Sequence, residues 1–205
     1  MKHNHNPFTK EYAEGYKRSH LKEVDFDYKK DYVEYLIIDS MYQDYDMLDV
    51  GCGTGGYWRL LKNSKSIHGI DYSPAMIEAG NELKNLYDFK NTSFSCEDFE
   101  KYIPDKKFDV IKMLNWGGYR PYSLEIIKKT YEALKEGGMA VFPIRMPDNF
   151  RDKIRMFLGK EKIKLSEKQF KKYLSNFKNF DVLFSMKIQR HGSTAIFFVK
   201  KTDTK

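Results

Sequence analysis

The sequence has few cysteines and no long apolar run. Its 205 residues include only Cys52 and Cys96, which stand far apart, without a further cysteine or histidine at metal-ligand spacing. A disulfide framework, a zinc site or another metal cluster is therefore not indicated. No apolar stretch approaches the roughly 20 residues of a membrane-spanning helix, and the first residues lack the apolar core of a signal peptide. We expect a cytoplasmic protein without a membrane partner.

Arginine is also scarce, although the chain is basic. The net charge is +7, but only seven of the 36 basic residues are arginines. Lysine is the less geometrically specific partner for phosphate, and many of the lysines lie beside glutamates on predicted helices. We therefore expect a small-molecule substrate rather than nucleic acid, with RNA or DNA as an alternative.

The most informative stretch, MLDVGCGTGG, runs from Met47 to Gly56. A short apolar run ending in an acid, followed by four glycines in six residues, predicts a strand and then a tight turn. Gly51 and Gly53 can take positive φ and let a ligand lie against main-chain N–H groups. A helix starting at Tyr57 would add donors from its N-terminus. The stretch therefore predicts a ligand cradle.

Two classes of ligand compete for this cradle. Gly51, Gly53 and Gly56 fit the G-x-G-x-x-G pattern of dinucleotide sites, and Asp71 stands where such a site keeps its ribose-binding acid. That interpretation predicts an NAD-dependent oxidoreductase. Asp49 argues against it, because a carboxylate two residues before the turn would repel a pyrophosphate but attract an ammonium group.

The rest of the chain alternates strands and helices. Two helices are predicted between Phe8 and Ser40, and Ser73 and Pro74 mark the start of the helix predicted at 75–84. Ser166, with Gln169 three residues later, predicts the start of a late helix. Predicted strands cover 47–50, 67–71, 92–96, 108–114, 139–142, 181–189 and 194–200, and two other predicted helices cover 57–63 and 121–136.

Several motifs resemble those of the class I S-adenosylmethionine-dependent methyltransferases. Asp49-x-Gly51-x-Gly53-x-Gly55 is similar to the first motif of that family, and Gly69-Ile70-Asp71-Tyr72-Ser73-Pro74-Ala75-Met76 is similar to the second. A helix, Leu-Lys-Glu-Gly-Gly and a buried strand follow later, as in the family. The resemblance implies an α/β fold with a Rossmann-like doubly wound sheet, mostly parallel with a C-terminal antiparallel β-hairpin and with helices on both faces.

The resemblance also implies S-adenosylmethionine as cofactor, with S-adenosylhomocysteine as product. By analogy, Asp71 would accept both ribose hydroxyls, Tyr72 and Met76 would flank the adenine, and Asp98, or else Glu97, would accept from its amino group. The implied cofactor-binding residues are Asp49, Gly51, Cys52, Gly53, Gly55, Asp71, Tyr72, Met76, Asp98, Phe99, Asn115 and Tyr16.

The substrate side is less defined. Phe8, Tyr12, Tyr16 and His20 recur every four residues, which predicts either a packed helix or a lid over the ligands. Three of the seven arginines fall between 145 and 155, in an amphipathic surface helix or a site for phosphate or carboxylate. The candidate substrate residues are Tyr12, Trp116, Tyr119 and Arg145. The candidate catalytic residues are His20, His191 and Arg145.

We expect one domain, with a helical lid at 1–42, a cofactor-binding core at 43–142, an insertion at 143–165, and a helix with a hairpin at 166–205. It would act as a monomer or homodimer. The expected reaction is methyl transfer to oxygen of a small, anionic, sugar-linked or nucleotide-linked metabolite. A hydroxyl acceptor would need His20 or His191 as base, whereas Arg145 would position an anionic acceptor. An RNA or protein methyltransferase, an NAD-dependent oxidoreductase and a non-catalytic cofactor-binding protein remain alternatives.

Overall fold

A computed structural model describes residues 9–21, 29–113, 122–146, 166–189 and 193–203. The chain divides into two compact units, Met1–Ile103 and Pro104–Lys205. Within the described ranges, no helix is both long and apolar enough to cross a membrane. The division into a lid, a core, an insertion and a terminal hairpin stays a prediction.

The first unit combines helices with three parallel strands. It contains α1 (Lys10–Leu21), α2 (Lys29–Met41), β1 (Tyr45–Val50), a 3-10 helix (Gly56–Leu60), β2 (Ser64–Asp71), α3 (Pro74–Tyr87) and β3 (Thr92–Cys96). Met47 lies opposite Ile67, and Ile67 lies opposite Thr92, both in parallel register. The carboxyl ends of these strands therefore lie at one edge, where α/β sheets bind ligands.

The second unit ends in an antiparallel hairpin. It contains β4 (Phe108–Met113), α4 (Leu124–Ala133), β5 (Leu134–Arg145), α5 (Glu167–Leu174), β6 (Phe180–Gln189) and β7 (Ser193–Lys201). β5 is parallel to β4 and antiparallel to β7, which also pairs antiparallel with β6. The apolar strand β7 is buried from Thr194 to Val199, as expected for a strand with a neighbour on each side.

The strands follow the order β3-β2-β1-β4-β5-β7-β6 in a seven-stranded sheet. The predicted α/β class, with a mostly parallel sheet and a C-terminal antiparallel hairpin, is therefore confirmed. Two predicted helix starts are also confirmed. The Ser73 hydroxyl accepts from the Met76 N–H at 3.4 Å, with Pro74 in the first turn, and Ser166 and Gln169 form a reciprocal capping box.

The helix predicted at 57–63 is wrong in type and length. The structure has a 3-10 helix of only five residues, Gly56–Leu60. Asp39 of α2 explains the early end, because its carboxylate accepts from the N–H groups of Lys62 and Asn63 at 3.1 and 2.9 Å. A single 3-10 turn also lacks the aligned dipole of a long helix, so it attracts an anion less strongly than the predicted helix would.

The helix predicted at 121–136 is too long within the described residues. The structure gives Leu124–Ala133, capped by the Ser123 hydroxyl, which accepts from the Ile126 N–H at 3.2 Å. Leu134 already pairs with Phe108 as the first residue of β5, so Gly137 and Gly138 belong to a strand. Strand pairing therefore overrides the helical pattern of the sequence in this segment.

Candidate functional site

The glycine turn follows β1 and contains three residues in the left-handed region. Gly51, Gly53 and Gly55 have φ values of 70°, 56° and 64°. A side chain in this conformation is strained, which explains a glycine at every second position. The predicted tight turn is confirmed.

Four main-chain donors of this turn are used within the protein. Gly51 and Cys52 donate to the Ile70 carbonyl at 2.8 and 3.1 Å, Gly53 donates to Asp71 Oδ2 at 3.0 Å, and Gly55 donates to the Cys52 carbonyl at 3.0 Å. The expectation that a ligand takes these N–H groups is not met for these four donors. Since a pyrophosphate needs such donors, their use argues against a dinucleotide.

A stacked aromatic pair packs against the turn, and the sequence did not lead us to it. Trp58 and Phe94 lie 4.5 Å apart between ring centroids, at an interplanar angle of 18°. A Cβ atom at Gly55 would lie 2.9 Å from Phe94 Cζ, and one at Gly69 would lie 2.6 Å from Trp58 Cη2. The two rings therefore occupy the space that these glycines leave. A glycine inside the β2 pattern was the available signal of a close approach.

Asp49 is fully buried behind the turn. Its Oδ2 accepts from Trp58 Nε1 at 2.7 Å and from the Tyr35 hydroxyl at 3.1 Å. Burial raises the pKa of Tyr35 well above its ordinary value, and the charge of Asp49 raises it further. Tyr35 therefore keeps its proton and donates. The predicted effect of Asp49 on an ammonium group stays a prediction, and the structure adds a network that Asp49 organises.

Asp71 lies at the carboxyl end of β2 and is held by main-chain donors. Its Oδ2 accepts from the Gly53 N–H, and its Oδ1 accepts from the Ser73 N–H at 2.9 Å. Burial raises the pKa of this carboxyl, the Ser73 and Gly53 donors lower it, and the charge of Asp49 raises it, with a net upward shift. A carboxylate offers about four acceptor positions, so two bonds leave capacity for ribose hydroxyls.

The residues predicted to flank the adenine differ in exposure. Tyr72 is 42% exposed next to Asp71, whereas Met76 is buried in a cluster with Ala13 and Ala79. Tyr16 packs against that cluster, and its Cε1 would lie 3.7 Å from a Cβ atom at Gly53. The structure therefore brings Tyr16 of α1 onto the glycine turn, as a lid requires.

The segment after β3 places the remaining predicted cofactor residues. Asp98 Oδ1 accepts from the Glu100 N–H at 3.1 Å, and Glu97 is exposed. Phe99 is 1% exposed and belongs to the core. Cys96 is an exposed thiol, whose pKa is raised by burial and then by the charges of Asp71 and Glu97, whereas Cys52 is buried. Asp98 thus lies after β3 at this edge, and its role toward an adenine stays a prediction.

Several predicted residues fall outside the described part of the chain. Asn115, Trp116, Tyr119 and His191 lie there, and so does the side chain of His20. Tyr12 is 47% exposed and stacks on Tyr16 at 6.1 Å. Arg145 is exposed at the end of β5, opposite Thr194 of β7. Their predicted roles toward a substrate stay predictions.

These residues fit a nucleoside cofactor without phosphate. The four turn donors are occupied, which disfavours a phosphate, while Asp71 offers a carboxylate for ribose hydroxyls. Asp49 adds a buried negative charge behind the turn, which suits a cofactor with a cationic amino-acid portion. S-adenosylmethionine has these properties and NAD does not.

The comparisons with known proteins agree with this fit. Residues 42–191 match a family model described as a methyltransferase domain. The chain is 37% identical over 111 residues to malonyl-[acyl-carrier protein] O-methyltransferase 1 of Ilyobacter polytropus, covering 52% of this chain and 40% of that protein. It is 29% identical over 108 residues to trans-aconitate 2-methyltransferase of Rhizobium rhizogenes, covering 51% of this chain and 40% of that protein. The matches thus span less than half the length of these curated relatives.

A solved structure shows the same fold over almost the whole chain. An S-adenosylmethionine-dependent methyltransferase from Clostridium acetobutylicum has a TM-score of 0.69 and 19% identity, with 97% of this chain and 100% of that chain covered. The family model covers more than half of the sequence and agrees with the motifs, the sheet order and the glycine turn. The chain therefore belongs to the class I S-adenosylmethionine-dependent methyltransferases.

Proposed function

We propose that the protein transfers a methyl group from S-adenosylmethionine to a carboxylate oxygen of a small or carrier-linked acid. The observation that carries the cofactor assignment is Asp71, held by the N–H groups of Gly53 and Ser73 beside a turn in which four N–H groups are already used. Two relatives are named for malonyl and trans-aconitate substrates, which are both carboxylic acids. These names support a carboxylate more than a sugar-linked or nucleotide-linked acceptor.

The residues of the first unit would hold the cofactor. Asp71 would accept from its ribose, Tyr72 and Met76 would flank its base, and Asp98 would accept from its amino group. Tyr16, which already lies over Gly53, would exclude water from the turn. Each role follows from position at the carboxyl edge of β1, β2 and β3.

Arg145 would bind the acceptor. It is exposed at the end of β5, and a guanidinium binds a carboxylate through two parallel hydrogen bonds. Bound S-adenosylmethionine supplies a methyl group on a sulfonium, so that the methyl passes to oxygen as the sulfur–carbon bond breaks and a neutral ester forms. Because a carboxylate is already an anion, neither His20 nor His191 is needed as a base. The protein would contribute alignment, which is worth about 7 to 11 kcal/mol when the geometry is good.

Calorimetric titration with S-adenosylhomocysteine, with NAD as comparator, tests the cofactor assignment. We expect binding of S-adenosylhomocysteine alone, and its loss in Asp71→Ala. Binding of NAD alone would contradict the assignment.

The acceptor is tested with S-adenosylmethionine and a panel of malonate, trans-aconitate and malonyl-acyl carrier protein, with mass spectrometry to detect methyl esters. We expect Arg145→Gln to raise the KM for the acid about tenfold or more, while its affinity for S-adenosylhomocysteine stays unchanged. Arg145→Lys keeps the charge but loses the planar pair of donors, so it should recover only part of the loss. Ester formation that is insensitive to both variants would exclude Arg145.

A further inference from the structure

Three buried side chains are hydrogen-bonded to one another behind the glycine turn. Tyr35 of α2 and Trp58 of the 3-10 helix donate to the same oxygen of Asp49, at 3.1 and 2.7 Å. Tyr35 is 1%, Trp58 2% and Asp49 0% exposed. Tyr35 therefore connects α2 directly to the last residues of β1.

The two donors stabilise a charge without neutralising it. Burial of a carboxylate is costly unless hydrogen bonds compensate for the lost water. A phenol and an indole are both neutral, so these bonds favour the ionised form while its negative charge remains. A lysine or arginine in the place of Tyr35 would cancel that charge. The network is thus suited to keep a negative potential behind the turn.

The potential of Asp49 extends to the residues expected to contact the cofactor. The charge of Asp49 is one of the causes that raise the pKa of Asp71, whose main-chain partner Gly53 belongs to the turn. The charge held by the buried network therefore reaches the turn through space.

We propose that Tyr35 is a positioning residue for the cofactor: through its hydrogen bond to Asp49, it holds that carboxylate where its charge attracts the ammonium group of the cofactor's amino-acid portion. Tyr35 does not contact the cofactor itself in this proposal. The proposal rests on the cofactor assignment made above, and it extends the site to α2, which the motifs do not include.

The effect of the Tyr35 hydroxyl can be tested without changing the packing of the turn. Trp58 fills the space at Gly55 and Gly69, so any change of Trp58 alters packing as well as hydrogen bonding. The Tyr35 ring instead packs against Tyr57 at 5.6 Å. Tyr35→Phe keeps this ring contact and removes only the hydroxyl that reaches Asp49.

The test compares two ligands across matched variants by calorimetric titration. S-adenosylhomocysteine carries the amino-acid portion, whereas 5′-methylthioadenosine has the same nucleoside thioether without it. We expect Tyr35→Phe to weaken S-adenosylhomocysteine about tenfold, because it removes a hydrogen bond to a charged group, and to leave 5′-methylthioadenosine within about twofold. Asp49→Asn should likewise weaken S-adenosylhomocysteine more than 5′-methylthioadenosine. Trp58→Phe should weaken both ligands, because it also changes the turn.

Tyr32→Phe is the matched control. Tyr32 is also buried on α2 and packs against Tyr57 at 5.8 Å, so the same substitution there should leave both affinities unchanged. Equal losses of the two ligands in Tyr35→Phe, or no loss, would overturn the proposal. If thermal unfolding shows that Tyr35→Phe is not folded, Asp49→Asn decides by the same criterion. A wild-type protein that binds neither ligand would overturn the cofactor assignment as well.

Discussion

Opposing effects act on the proton of Asp71. Burial favours its neutral form and raises its pKa, and the N–H groups of Ser73 and Gly53 favour the anion. Since burial is the larger effect, the pKa of this carboxyl lies above its ordinary value. Ribose hydroxyls would donate to the anion, so the protonation of Asp71 would control the affinity for the cofactor.

Asp71→Asn should weaken S-adenosylhomocysteine about 10-fold to 100-fold, because an amide replaces a charged acceptor by a neutral one. The thermal midpoint should fall as well, since the amide cannot accept from both Gly53 and Ser73 with the same strength. Calorimetry and thermal unfolding measure the two effects. Asp88→Asn is the control, because Asp88 is exposed and its left-handed backbone suits asparagine. An unchanged affinity in Asp71→Asn would remove Asp71 from the site.

The affinity for S-adenosylhomocysteine should fall as the pH is lowered through the raised pKa of Asp71. The drop should approach tenfold per pH unit below that pKa, because the ligand then displaces a proton. Titrations between about pH 7.5 and about pH 4.5 measure it, and Asp71→Asn should flatten the curve.

The contribution of Asp71 to the stability of the fold should change with pH in the opposite direction to the affinity. The folded protein binds this proton more tightly than the unfolded chain, so the contribution of Asp71 to stability falls as the pH rises from the ordinary carboxyl pKa to the raised value. Above the raised pKa this contribution should be constant. For the binding titrations, a wild-type affinity for S-adenosylhomocysteine that does not change between about pH 7.5 and about pH 4.5 would contradict the proposed role of Asp71.

Among the elements, α1 shows how a short helix is held in place. Ala13 packs against Met76 and Ala79 of α3, and Lys17 forms ion pairs with Glu14 at 2.9 Å and with Glu82. Gly15 lies inside this helix, where it is exposed and an added Cβ would have no atom within 4 Å. Alanine should therefore be more stable than glycine at this position of α1.

Gly15→Ala should raise the free energy of unfolding by about 0.5 to 1 kcal/mol, because alanine loses less backbone entropy in a helix. Urea unfolding measures it. Gly53→Ala is the contrasting variant, since its φ of 56° is strained for alanine, and it should lower stability by about 1 to 2 kcal/mol. A destabilising Gly15→Ala would mean that α1 is not helical at this residue.

Gly69→Ala should destabilise the first unit by about 1 to 3 kcal/mol. Its Cβ would lie 2.6 Å from Trp58 Cη2 and 2.7 Å from Cys52 Sγ, so the ring or the strand must move. Trp58→Phe removes the part of the ring that is in conflict. In a double-mutant cycle, Gly69→Ala should therefore cost at least about 1 kcal/mol less in the Trp58→Phe background. Additive losses would show that the contact does not limit packing at Gly69.

At the scale of helices and strands, the sequence predicts the elements that local periodicity and capping determine. The strands, α3 with its Ser73 cap and the late helix after Ser166 follow from periodicity and capping, and they are confirmed. The helix after the glycine turn was wrong, because its end depends on Asp39, 23 and 24 residues away along the chain. The packing of Trp58 on Phe94 could not be predicted either, because the two residues are distant in sequence. Contacts across elements are invisible to such patterns.

For the whole molecule, the balance of charge bears on the partner. The net charge of +7 is carried largely by lysine, and the surface ion pairs include Lys128 with Glu132 and Lys171 with Glu167.

Ordered motifs between Met47 and Phe142 predicted the family, and the family model extends from residue 42 to 191. The acceptor could not be predicted in the same way, because substrate recognition depends on a few side chains outside these motifs.

We expect no cofactor-dependent methylation of RNA. A basic chain should bind RNA weakly and non-specifically, with an affinity that falls steeply as salt rises, since neutralised phosphates release counterions. Incubation with tritiated S-adenosylmethionine and total RNA, at low and at near-physiological salt, measures incorporation. Methylation that persists at the higher salt would favour an RNA substrate over the proposed acid.

The Trp58–Phe94 pair also has an evolutionary consequence. Each ring occupies the space that a side chain would need at a neighbouring position. Gly55 and Gly69 lie against Trp58, and Gly80 lies against Phe94. These positions should not drift independently in descendants of this sequence, because alanine at position 69 should cost less stability once a smaller residue has replaced Trp58. The order of substitutions is therefore biased, and we expect the aromatic position to change before the glycine.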